Sequence, residues 1–336
     1  MQQISNGVGV AFAPVALRDA PPRSETAKAS GCILCGASLE VSQGHLFDTR
    51  FGTPGSYESR RCVRCGLEQT FPKLTPGELK KLYEEHYNFG GETDTRYTRW
   101  RERFLFSFLN RVWTRLDGDI CFHLRRGSGR LLDIGCNEGR GLRLYARNGF
   151  HVEGLELSET AAAVARKAGF HVHTCLLEKF DPPTRYDFAV LSNVLEHSPD
   201  PRQMLRDVHR ILANGSQVWI SCPHSRSWLR TVFGRSWINW HVPFHTFHFS
   251  SATLRGLLAE AGYAQIEIRQ ITPALWVAHS VIAWLFARKG KKTLQLRNPF
   301  LTPLLLMFSR FVLFPALWFG NRCGKGDCLL AVATKA

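Results

Sequence analysis

Two cysteine pairs, Cys32-x-x-Cys35 and Cys62-x-x-Cys65, have the residue type and spacing for metal chemistry. Two thiolates three residues apart can face one ion from a single tight turn, and two such turns supply the four ligands of a tetrahedral site. A site closed by four protein ligands leaves no open position, so it supports structure instead of reacting. Gly36 and Gly66 trail the pairs and let backbone amides turn toward the sulfurs. Zinc is the expected ion; four unpaired thiols or a redox pair are the other readings. The 26 residues from 36 to 61 are somewhat longer than a usual ribbon but suit a small β module. Folding support and substrate holding both remain open as its role.

A second stretch, Leu131-Leu132-Asp133-Ile134-Gly135-Cys136-Asn137-Glu138-Gly139, joins a carboxylate to a glycine turn. Leu131, Leu132 and Ile134 form the short apolar run of a strand buried on both faces. Gly135 and Gly139 let the backbone approach a ligand, and the amides of a helix from about Arg140 point into the same crevice. That suits a nucleotide-like cofactor at the carboxyl end of a strand. Asp133 before the first glycine, and Asn137 within the turn, disfavour the dinucleotide pattern G-x-G-x-x-G. Glu156, about 20 residues on, stands where an acid accepts both ribose hydroxyls of an adenosine. Its plainer reading is the N-terminal acid of a helix capped by Ser158. Among histidines near predicted strand ends, His197, His224, His241 and His245 titrate in the range of a general base. Each alone reads more simply as a hydrogen-bonded structural residue; His197 and His245 lead as catalytic candidates.

The elements that must position these groups follow from period and punctuation. Thr75, Pro76 and Glu78 form a capping box that starts a helix. Trp100, Phe104, Phe108, Val112 and Leu116 make one stripe of a helix over 96–116. From Arg130 strands and helices alternate, the α/β pattern. Strands are expected at 130–135, 151–157, 170–175, 186–192, 216–222, 264–271 and 327–334. Helices are expected near 139–148, 159–168, 201–212 and 251–261, with Asn214-Gly215 capping the third.

The run D-x-G-x-x-x-G at 133–139 resembles the first motif of class I S-adenosylmethionine (SAM) dependent methyltransferases of the type 11/23-like group. Asn193-Val194-Leu195-Glu196-His197, Asp200-Pro201, Ser221-Cys222-Pro223-His224, the run 245–250 and Ala261-Gly262-Tyr263 resemble further segments of that family. The resemblance covers 128–272 with the last strand, and extends to the cysteine module and the helix after it. It implies a Rossmann-like seven-stranded sheet carrying a small N-terminal zinc module and a C-terminal hydrophobic helical insertion. It also implies that Asp133, Gly135 and Gly139 line the methionine and ribose part of SAM, and that Glu156 holds the ribose. Leu177 and Glu178 would flank the adenine, and Asn193 would lie near the sulfonium. Asn137 and His224 depart from the family's usual glycine and asparagine.

The resulting divisions are a disordered leader at 1–30, the module at 31–72, a helical linker at 73–127, the SAM-binding core at 128–272, an insertion at 273–326 and a final core strand at 327–336. A net charge of +15 over 336 residues points to an anionic partner. Six scattered cysteines, several in predicted core strands, fit a reducing, cytoplasmic setting. No Lys or Arg precedes the apolar residues 7–17, so a signal peptide is not expected. In the insertion, Ala274–Ala287 and Phe300–Phe319 are apolar and flank Arg288-Lys289-Gly290-Lys291-Lys292. A helical hairpin lying on acidic lipid is the favoured reading, with a buried lid or dimer interface as the alternative. The expected function is O-methylation of a lipid-linked or glycan acceptor at the cytoplasmic membrane surface. Methylation of a nucleotide sugar or other small molecule is the runner-up. RNA methylation, suggested by the cysteine module and the positive charge, is a third reading, but nucleic acid is not the expected partner because the aromatic platform of RNA binders is not evident. A non-catalytic SAM-binding adaptor completes the set.

Overall fold

The structure is a computed structural model that describes residues 31–86 and 103–336. The leader expected at 1–30, and Trp100 with the start of the 96–116 stripe, lie outside the described residues. Each cysteine pair closes a tight turn, in which Gly36 N donates to Cys32 O at 2.8 Å and Gly66 N to Cys62 O at 3.1 Å. Between and after these turns run β1 (Leu39–Leu46), β2 (Tyr57–Cys62) and β3 (Glu68–Phe71), all antiparallel. The capping box forms as expected at α1 (Pro76–His86): Thr75 N donates to Glu78 Oε2 at 2.8 Å, and Glu78 N to Thr75 Oγ1 at 3.3 Å.

The single helix expected over 96–116 is interrupted. Ser107 is extended and caps a new helix, α2 (Phe108–Asp117), by accepting from Asn110 N at 3.2 Å. A serine oxygen at that point offers the backbone an alternative to the continuing ladder. The stripe is not a core face either, since Phe108 is 73% exposed.

From Arg130 the chain builds the expected alternation. β4 (Arg130–Ile134) and β5 (His151–Leu155) are joined by α3 (Arg140–Arg147); α4 (Glu159–Lys167) leads to β6 (His171–His173). β7 (Tyr186–Ser192), α5 (Pro201–Ile211) and β8 (Leu212–Pro223) follow. After α6 (Trp228–Phe233) come the short β9 (Phe247–His248), α7 (Ser251–Glu260) and β10 (Tyr263–Ile271). The insertion carries α8 (Ala274–Phe286), α9 (Leu301–Phe311) and α10 (Phe314–Arg322), and β11 (Cys328–Lys335) ends the chain. The seven-stranded sheet has the order β10-β11-β8-β7-β4-β5-β6. The strands from β8 to β6 are parallel, and β11 runs antiparallel between β8 and β10. The order reverses at β4, so the switch-point crevice opens beside the carboxylate and glycine turn. One local expectation fails: α5 ends at Ile211, and Leu212 already pairs with Tyr186. Asn214-Gly215 therefore falls in a bulge of β8, before Gln217 meets Phe188, and caps no helix.

The cysteine module is sewn to the core. β9 adds to β3 through Glu68↔His248 and Gln69↔Phe247, completing a four-stranded sheet β1-β2-β3-β9. Cys32, Cys62 and Leu67 share an apolar cluster with Leu254 and Leu257 of α7. At the centre, the fully buried Glu68 accepts from Arg230 at 2.9 and 2.8 Å and from Arg61 at 3.0 and 2.9 Å.

The two apolar segments of the insertion differ in fate. α8 is largely a core helix: Val277 packs with Trp237 and Trp240, and Ala283 with Ile238. Leu275 in its first turn and its last turn, Trp284 to Phe286, are exposed. The expected hairpin with two lipid-facing arms is therefore not formed, because the first arm is covered by protein. The second segment breaks into α9 and α10, bent by 62°. No helix among the described residues is long and apolar enough to cross a membrane by itself. Arg310 turns inward, 3.7 Å from Asp117 and stacked on Phe314 at 4.9 Å. Phe300, Leu304, Phe308, Phe311, Trp318 and Phe319 remain exposed on the outside of the pair.

Candidate active site

The glycine turn after β4 holds three residues in the left-handed region: Gly135 (φ 73°), Asn137 (φ 50°) and Gly139 (φ 77°). Most side chains would cost about 1–2 kcal/mol there. Asparagine is tolerated because its short amide bonds locally; here Asn137 Oδ1 accepts from Glu138 N at 2.8 Å. The departure at Asn137 thus preserves the turn. A Cβ on Gly135 would come within 2.8 Å of Val194 Cγ2, and one on Gly139 within 2.8 Å of Ala165 Cβ. The glycines therefore serve first to let the loop after β7 and helix α4 close on the turn.

Asp133 sits beneath this turn, 6% exposed, with its carboxylate against the second residue of α3: a Cβ on Gly141 would lie 2.8 Å from Asp133 Oδ2. Burial, and then the nearby charge of Glu156, push its carboxyl up to about 7. Glu156 follows β5 and ties the crevice walls together, accepting from Asn137 N at 2.9 Å and Ser158 N at 2.8 Å. Ser158 also caps α4, so the plainer reading of Glu156, an acid at that helix's N-terminus, has a structural counterpart. Leu177 is buried and Glu178 exposed in a short turn, Leu177–Lys179. Asn193, at the end of β7, is left-handed (φ 54°), and its buried Oδ1 has no hydrogen-bond partner. The crevice thus offers an unpartnered acceptor and a carboxylate destabilised by burial, and a ligand carrying positive charge and hydroxyls meets both needs.

Three of the four candidate histidines, His197, His241 and His245, converge. The rings of His197 and His245 have centroids 4.6 Å apart, and those of His241 and His245 4.7 Å apart. His245 Nδ1–H donates to Asn239 O at 2.8 Å, which leaves Nε2 with its lone pair, 3.3 Å from His241 Nδ1. Burial pushes His197 down to about 4, and His241 and His245 well below their ordinary value. These imidazoles are neutral at pH 7 and weaker bases than free histidine. His224 stands apart at the end of β8, donating from Nδ1 to Gly326 O at 2.8 Å. Glu196 was missed by the sequence reading: it is buried, its carboxylate lies 3.9 Å from His245 Nε2, and burial pushes it up to about 8. Its adjacency to His197 was the available signal, since a one-turn 3-10 helix at 195–197 directs both inward. The three histidines place ligand nitrogens within 4.8 Å of one another, close enough to share a divalent cation or a proton.

At the module, Cys32 Sγ lies 3.5 Å from Cys65 Sγ, and Cys35 Sγ 3.4 Å from Cys62 Sγ. None is in a disulfide. A tetrahedral zinc–sulfur site, with bonds of about 2.3 Å, needs sulfurs about 3.8 Å apart, a small relaxation from this arrangement. Against its burial, amides of Cys65 and Arg64 hold Cys62 down to about 6, whereas burial pushes Cys65 up. Four crowded thiols do not all ionise unless a cation joins them.

This combination defines a class I methyltransferase, and comparison with known proteins agrees. A family described as a methyltransferase domain matches residues 97–268, just over half of the chain's 336 residues. The chain belongs to this methyltransferase family. It is 31% identical over 130 residues to the ubiquinone biosynthesis O-methyltransferase of Pseudomonas aeruginosa (strain UCBPP-PA14), covering 36% of this chain and 56% of that protein. The chain spans about half the length of the curated relatives it matches. Among solved structures, a SAM dependent methyltransferase from Archaeoglobus fulgidus has 21% identity and a TM-score of 0.43, covering 72% of this chain and 100% of that one. Phosphoethanolamine N-methyltransferase 2 of Haemonchus contortus, in complex with S-adenosyl-L-methionine, has 17% identity and a TM-score of 0.45, covering 80% and 62%.

Proposed function

We propose that this methyltransferase methylates an oxygen of a lipid-linked or glycan acceptor at the cytoplasmic surface of a membrane. The observation that carries the reading is the exposed apolar face of α9 and α10 on the same insertion as the exposed Arg288, Lys289, Lys291 and Lys292. Apolar side chains entering the headgroup region and lysines meeting acidic lipid are complementary to one surface. The ubiquinone biosynthesis O-methyltransferases it resembles are consistent with an oxygen acceptor.

SAM, when bound, supplies a methyl group already activated by its sulfonium, so positioning is most of what the protein must add. In this reading Asp133 with the Gly135–Gly139 turn holds the methionine and ribose part. Glu156 takes the ribose with the lone pairs its two amide bonds leave free. Leu177 and Glu178 flank the adenine, and Asn193 Oδ1 faces the sulfonium end. His245, oriented by the Asn239 carbonyl, accepts the acceptor's proton at Nε2, with His197 packed beside it. Cys32, Cys35, Cys62 and Cys65 hold a structural zinc that fixes the module against the core.

A second reading, a soluble acceptor such as a nucleotide sugar, draws on the inward Arg310 and the buried α8, which suit a lid. Methyl-labelled SAM and the purified protein added to lysate of a deletion strain separate the two. Label in the organic or glycolipid fraction is expected; label confined to small aqueous products would refute the membrane acceptor and turn α9 and α10 into a lid.

A further inference from the structure

Between the Cys62–Gly66 turn and the ends of β8, β10 and β11 lies an open depression of about 620 Å³. Arg61 and Arg64 enter it from the cysteine turn, Arg226 from the loop after β8, and Lys325 from the loop before β11. Ser251, the first residue of α7, and Gln270 add neutral polar groups; no carboxylate lines the wall, and the thiolates of Cys62 and Cys65, when zinc is bound, supply its negative charge. Glu68 offsets little of this charge, because Arg61 and Arg230 share it. Arg64, Arg226 and Lys325 have no ionic partner among the described residues. Partial desolvation and the repulsion of Arg61 push Arg226 below its ordinary value.

An ordinary solvated basic face is convex and mixes its signs. Here cations from three separate segments converge on one hollow, and such a field concentrates anions. The hollow also opens on the carboxyl edge of the sheet, where the crevice at Asp133 and Asn193 lies. Asn193 follows β7, and His224 on the wall of the hollow follows the neighbouring β8, so both lie past the carboxyl ends of paired strands.

We propose that this depression binds the phosphoryl group of the methyl acceptor, making the acceptor a phosphate ester or diphosphate. The inference rests on the methyl-transfer reading above and narrows its acceptor. Planar guanidiniums of Arg64 and Arg226 match phosphate oxygens in pairs, with Lys325 as a third charge. The phosphate belongs either to a membrane lipid or to a free small molecule.

The test is calorimetric titration of inorganic pyrophosphate into the full chain at low ionic strength. Wild type, Arg64→Gln, Arg226→Gln, Lys325→Gln and the R64Q/R226Q double variant are compared, with SAM affinity measured on each. Saturable one-to-one binding is expected, weaker by about tenfold for each arginine removed, at unchanged SAM affinity. Vesicles of phosphatidylcholine with phosphatidic acid then compete. Competition that R64Q/R226Q abolishes assigns the phosphate to a lipid; absence of competition assigns it to a soluble molecule. Absence of saturable pyrophosphate binding, or binding indifferent to the variants, while SAM still binds, overturns the assignment of the depression alone. Failure of the wild-type protein to bind SAM instead strikes the methyl-transfer reading on which it rests.

Discussion

Replacing Glu68 by glutamine keeps its volume but leaves the guanidiniums of Arg61 and Arg230 facing each other without the carboxylate between them. Burial alone would raise the carboxyl of Glu68, but the bonds and charge of Arg230, with the Ser42 hydroxyl, override it and bring it down to about 2 from 4.5. A depression of that size corresponds to about 3 kcal/mol of stability. It agrees with the roughly 3–5 kcal/mol lost when one partner of a buried ion pair is removed. The sign fixes the pH window. A carboxyl depressed in the folded state contributes fully above its unfolded value of about 4.5, and the contribution is lost as pH falls through about 2. Urea unfolding of wild type and Glu68→Gln should therefore differ by about 3 kcal/mol from pH 5 to 8, with the gap closing below about pH 5. The melting temperature should fall by on the order of 5–10 °C. Adding Arg230→Met to the variant should recover part of the loss, since an unpaired buried charge is removed. A gap below about 1 kcal/mol at pH 7, or one that widens on acidification, would show that Glu68 does not bind the module to the core in this way.

Two further outcomes follow from the site. Because Asp133 is pushed up to about 7, it loses its charge as pH falls through that value. SAM affinity should weaken about tenfold between pH 8 and pH 6, and in Asp133→Asn it should be low and independent of pH; a pH-dependent Asp133→Asn would assign the titration elsewhere. Elemental analysis of the purified chain should give one zinc per molecule, lost in Cys62→Ser, and chelation should lower the melting temperature of wild type but not of that variant. Metal-free protein with an unchanged melt would leave the four thiols as packing alone.

The strands from β4 to β8 were legible because a strand covered on both faces must be a short apolar run bounded by turn residues, and Leu131-Leu132, Val152 and Tyr186–Ser192 obey that rule. The glycine turn, Glu156 and the cysteine knuckles were legible for the same reason: each is fixed by groups a few residues apart. Asn214-Gly215 misled because it is a strong local punctuation mark used here as a bulge, where pairing with β7 outweighs the tendency to cap. The 96–116 stripe misled because Ser107 supplies its own cap and because helical period alone does not say whether a face is covered.

The sequence by itself therefore determined the order of elements, the two chemical motifs and their likeness to a methyltransferase, all properties written within spans of about 30 residues. Tertiary structure alone decided the rest. It brought His241 and His245 beside His197 and gave Glu196 a buried position at their edge. It joined β9 to β3 of the cysteine module, paired Glu68 with Arg230 of α6, and buried α8 while leaving the outer faces of α9 and α10 bare. The physical reason is that burial and charge pairing depend on segments more than a hundred residues apart, such as Glu68 with Arg230 or Asp117 with Arg310. Such contacts depend on the packed sheet, and no pattern within either segment encodes them.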